Sequence, residues 1–126
     1  MHKTKQIIFF AYVSLVFYLT LLPQENFSKL STIKELEIFL KIDNLDKIVH
    51  CGMFGLMTIL LFVTYKITTL RLMIIPFLIS FLIEILQGVL TSLHRSFDFV
   101  DLMANLSGIA LAYIAITYYL QHKKTQ

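Results

Sequence analysis

Phe81-Leu-Ile-Glu-Ile-Leu-Gln-Gly88 sets a carboxylate, Glu84, and an amide, Gln87, inside an apolar run from Leu72 to Leu90. A run of that length reads as a membrane-crossing helix, which needs about 20 mostly apolar residues. A charged side chain near the bilayer centre costs about 2.5–3.5 kcal/mol, and less toward an interface. Glu84 therefore calls for partners on neighbouring helices.

Composition agrees with that class. Of 126 residues, 57% are hydrophobic and 15% charged, and mean hydropathy is +0.75. Soluble domains are about 45–50% apolar. The expected fold is all-α, a four-helix transmembrane bundle in a single domain over residues 1–126. The +3 net charge lies in short clusters, which argues against nucleic acid as a partner. Cys51 stands alone, so no internal disulfide forms, and it reads as a small packing residue.

Four spans are predicted, over residues 6–22, 46–65, 71–90 and 99–120. The first follows Lys3 and Lys5 but lacks a small-x-small cleavage site, so it reads as an uncleaved anchor. Residues 24–45 form the longest polar connection. There Ile33, Leu36, Phe39 and Leu40 recur at helical spacing behind a Thr32/Glu35 capping pair, which predicts a short amphipathic interfacial helix. In the second span Asp46 can cap the start, His50 and Phe54 follow at one-turn intervals, and Gly52 and Gly55 offer a close-packing surface. Pro76 is tolerated as a kink in the third span.

Even numbers of crossings put both termini on one side. That side carries Lys3, Lys5, Lys66, Arg71, Lys123 and Lys124 close to the spans; the other has Lys29, Lys34, Lys41, Lys47 and Arg95, mostly spread among acids. The positive-inside rule then sets both termini in the cytoplasm, in a multi-pass protein of the cytoplasmic membrane.

On that topology the polar residues converge. At about 1.5 Å per residue, His50 lies about 6 Å below the outer boundary, and Glu84 and Asn105 each lie about 9 Å down. Gln87 lies about one turn above Glu84, and Asp101 about 3 Å down. Asp98, Asp101 and Asn105 share one helical face, continued by the small residues Ala104, Gly108 and Ala112. The candidate catalytic residues are Glu84, His50 and Asp101, with His50 able to exchange a proton near neutral pH. Arg95 suits a bidentate anion contact, with Lys47, Gln87, Asn105, Asp98 and Asp46 as further ligand-binding candidates. Each also has a packing role open to it: Glu84 held by Arg95 or His50, Arg95 bridged to Asp98 or Asp101, and Asn105 and Gln87 bonded between helices. His50, Glu84 and Asp101 could chemically serve a divalent ion, but no ligand-spacing motif supports a metal, and no cofactor is expected.

At these positions the sequence resembles the VanZ-like family of small bacterial membrane proteins. The resemblance rests on Asp46-Lys47-x-x-His50-x-x-x-Phe54, then Glu84-x-x-Gln87, then Arg95-x-x-Asp98-x-x-Asp101-x-x-x-Asn105-x-x-Gly108, with Thr20-Leu-Leu-Pro23 closing the first span. Ala112 stands where a second glycine is expected. The resemblance implies an envelope protein associated with lowered susceptibility to teicoplanin-like lipophilic antibiotics, with no assigned reaction. Its partner would be the bilayer together with a lipid-linked envelope precursor or such an antibiotic. A small proton-coupled exporter and a non-enzymatic subunit that binds another membrane protein are the alternatives. The position of Glu84, in the third span and not the first, and the one-sided cluster fit an exporter less well.

Overall fold

The computed structural model describes residues 1–23 and 45–125. The helix expected within residues 24–45 therefore falls almost wholly outside the described residues. Among these residues the chain is all-α: α1 His2–Thr20, α2 Leu45–Tyr65, α3 Arg71–Val89 and α4 Phe99–Thr125, with a one-turn 3-10 helix, Thr91–Leu93, between α3 and α4.

Three of them, α2, α3 and α4, are long and apolar enough to cross a membrane. The expectation for the first span differs in kind. α1 matches α3 in length, but it starts at His2 and takes Lys3 and Lys5 into its first turns. Its apolar stretch is correspondingly shorter.

The distribution of side chains is that of a protein solvated by lipid. Ile7, Phe10, Ile74, Leu78, Leu82, Leu111 and Ile114 are exposed, whereas His50, Ser80, Glu84, Gln87 and Asn105 are buried. Large exposed apolar surfaces are unusual on soluble monomers. The chain is a multi-pass membrane protein.

Packing follows from small residues and aromatic contacts. α2 and α4 run parallel and share the most extensive helix contact. Gly108 makes it close: a Cβ there would sit 1.9 Å from the Cys51 carbonyl oxygen, and one on Gly55 would sit 3.2 Å from the Gly108 carbonyl oxygen. Ala112, one turn on, is buried on the same side. Gly52 does not share this role, since no described atom lies within 4 Å of where its Cβ would be. Three residues turn a helix by about 300°, so Gly52 and Gly55 point about 60° apart and a narrow contact engages one of them.

α1 packs antiparallel to α2. Tyr12 donates to the Met53 carbonyl at 2.9 Å, and the His2 and Phe9 rings meet Tyr65 edge-on. Lys66 ends α2 in the left-handed region, φ 57°, while its N–H still reaches the Phe62 carbonyl at 2.8 Å. That is the geometry of a helix stop. Pro76 is buried within α3, where it leaves the Leu72 carbonyl without its usual helical donor. Lys66 and Lys123 line one cavity, and His2 packs on Tyr65 close by in sequence. The start of α1 and the last turns of α4 therefore lie at the same, basic end of the bundle.

Candidate functional site

The opposite end gathers the polar side chains. Asp98 caps α4: its Oδ1 accepts the Val100 N–H at 2.8 Å. Such caps stabilise a helix by about 1 kcal/mol. The Asp98 N–H in turn donates to Glu84 Oε2 at 3.1 Å, tying α4 to α3. Its Oδ2 accepts from Lys47 Nζ at 3.0 Å, tying α4 to α2. One loop residue thus joins three helices.

Lys47 also binds Asp101 and lies 3.1 Å from Asp46. Three carboxylates therefore hold one ammonium that retains only 23% of its exposure. The Lys47 hydrogen bond, with help from the Val100 N–H, holds the Asp98 carboxyl below the usual carboxylate range. Lys47 was expected among the anion-holding residues, and the structure shows it engaged by the protein's own acids. Arg95 lines the cavity described below.

Beneath this ion cluster lies a second, buried layer. The Asn105 amide donates to Ser80 Oγ at 2.7 Å and presents its oxygen to His50 Nδ1 at 3.0 Å. In that orientation His50 Nδ1 donates to the Asn105 oxygen. Nε2 faces Asp101 Oδ2 at 3.8 Å. A ring nitrogen of His50, a carboxylate oxygen of Glu84 and one of Asp101 all lie within 4.8 Å of one another. Glu84 is fully buried, and its Oε1 has no hydrogen-bond partner among the described residues. Leaving such an atom unsatisfied costs about 1–3 kcal/mol or more when charged.

Gln87 stands apart from that trio. Its Nε2 donates to the Thr20 carbonyl at 2.7 Å, so it fastens the end of α1 to α3. Thr20 in turn bonds back to the Val16 carbonyl at 2.7 Å.

Above the buried layer is an open cavity of about 590 Å³. Leu19, Val49 and Met53 supply apolar lining, and His50, Gln87, Arg95, Asp98 and Asp101 supply polar lining. Glu84 lies behind His50 and Asp101. The turn that carries Arg95 bends at His94, which adopts φ 48°, a strained value for a residue with a Cβ.

Sequence reasoning overlooked Ser80, Thr20 and Tyr12. A lone serine in an apolar run gives little signal. Thr20 lay within a quoted segment, but its backbone carbonyl, the group that matters, carries no sequence signal.

The VanZ/LLP1 family model matches residues 9–120. The chain belongs to the VanZ/LLP1 family. The match runs from Phe9, within α1, to Leu120, within α4, so it takes in the whole polar end of this VanZ/LLP1 protein. Among curated proteins and among solved structures, none matches the chain.

Proposed function

We propose that this VanZ/LLP1 protein binds the head group of a lipid-linked envelope component at the outer leaflet of the cytoplasmic membrane, and so lowers susceptibility to teicoplanin-like lipophilic antibiotics. The observation that carries this reading is the amphiphilic cavity. Its apolar lining suits acyl or prenyl chains, and its polar lining, Arg95 included, suits an anionic head group. The basic end, with Lys66 and Lys123, faces the cytoplasm under the positive-inside rule, which directs the cavity outward. His50 is equipped for acid–base work at the head group, because Asn105 fixes its tautomer and leaves Nε2 toward the cavity-lining Asp101.

Lipid co-purification tests the reading. Wild-type protein taken into nanodiscs from bacterial membranes is expected to carry an anionic amphiphile well above its share of the bulk lipid. Val49→Trp fills the cavity from an exposed position and is expected to weaken retention about tenfold, which corresponds to 1.4 kcal/mol. Identical bound lipid in both proteins would contradict it.

A further inference from the structure

We propose that His50, Glu84 and Asp101 form a binding site for one divalent transition ion of the zinc kind. The inference stands on this trio and holds whether or not a lipid head group enters the cavity.

Three independent observations converge on it. The first is donor geometry. One ligand atom from each residue falls within 4.8 Å of the others, from three different helices. Around a zinc-sized ion, ligand atoms at about 2.0–2.2 Å lie about 3.4 Å apart, so the side chains need to close by little more than an ångström. The second is the state of the imidazole. Metal-binding histidines use one ring nitrogen and donate the other N–H to an oxygen, which fixes the tautomer. Here Asn105 Oδ1 takes His50 Nδ1 at 3.0 Å, and Ser80 orients the Asn105 amide from behind. The nitrogen left over, Nε2, is the one that faces Asp101.

The third is the unpartnered carboxylate. Glu84 has 0% exposure, one oxygen bonded to the Asp98 N–H, and the other without a hydrogen-bond partner among the described residues. An ion between the three side chains would satisfy it. Asp101 is divided in the same manner: Oδ1 serves Lys47, and Oδ2 faces His50. A neutral imidazole and two carboxylates around a divalent ion sum to zero charge, the state that costs least in low-dielectric surroundings. Three protein ligands leave a coordination position vacant, as in catalytic zinc sites. His50 and Asp101 both border the cavity, so that position would open toward whatever occupies it.

The test uses the full chain, solubilised in detergent, stripped with chelator and titrated with Zn²⁺ in the absence of added lipid. Wild type is expected to take up one equivalent per chain. Glu84→Gln and His50→Gln are expected to weaken uptake by about 10- to 100-fold or more, because a ligand is lost. His122→Gln, which removes an exposed histidine in the last turn of α4 at the opposite end, is expected to bind as wild type does. Co²⁺ loading of the wild type reads the site without any substitution, through the intense visible bands of a four- or five-coordinate nitrogen/oxygen shell. No stoichiometric uptake by wild type overturns the proposal. Uptake that survives both substitutions, or a weak octahedral Co²⁺ spectrum, also overturns it. Failure of the lipid experiment leaves this outcome untouched, so the two readings fail separately.

Discussion

A Gly108→Leu variant is expected to lose the folded bundle, with no thermal transition in detergent and little protein recovered from membranes. The reason is geometric. Even a Cβ at this position would fall 1.9 Å from the Cys51 carbonyl oxygen. Overpacking a core usually costs about 1–3 kcal/mol because side chains shift aside. Here the obstacle is backbone, and relief requires separating α2 from α4 along the bundle's most extensive contact. His50 and Asn105 bridge the same pair of helices, so the site would come apart with the packing. Gly52→Ala is the matched control. No described atom stands in its way, and alanine favours a helix over glycine by about 1 kcal/mol, so equal or slightly raised stability is expected. Normal folding of Gly108→Leu would contradict the close α2/α4 contact.

Lys47→Met carries the second large effect. It removes an ammonium shared by Asp46, Asp98 and Asp101. Breaking a fully buried ion pair costs about 3–5 kcal/mol, and the residual exposure of Lys47 reduces that to about 2 kcal/mol. The loss is expected as a lower thermal midpoint. Lys47→Met combined with Asp101→Asn is expected to recover part of it, since the two residues touch and their effects do not add. The pH dependence follows from Asp98, whose pKa is lowered in the folded protein. Its contribution to stability is complete above the ordinary aspartate range and disappears as pH falls through the lowered value. In Lys47→Met that part of the acid sensitivity is expected to be absent. Unchanged stability across the series would remove the ion cluster as a structural element.

Much of this arrangement was legible in the sequence, for a physical reason. Helical rise converts position into depth, so His50, Glu84, Asp101 and Asn105 could be assigned to one level before any coordinates. The burial of His50, Glu84 and Asn105 and the approach of His50 to Asp101 agree with that reckoning. Depth does not give azimuth. It could not show that Gln87 turns from the trio toward the Thr20 carbonyl, nor that Gly55 and not Gly52 meets α4. Lys47 could be read either as a ligand-holding cation or as a plain helix-end charge, and only the folded structure shows Asp98 and Asp101, at the start of α4, arriving to bind it. His50, Glu84 and Asp101 are too far apart in sequence to form a ligand-spacing motif, and they meet only because α2, α3 and α4 adjoin.

The most direct measurement of whether the polar end is a working site is a susceptibility assay against teicoplanin. Cells would express wild type, Glu84→Gln, His50→Ala or Asp101→Asn, with membrane abundance matched. Wild type is expected to raise the inhibitory concentration, and each variant is expected to return it to that of cells without the protein. Variants that protect as fully as wild type would contradict a functional role for the cluster and leave it as a device for holding α2, α3 and α4 together.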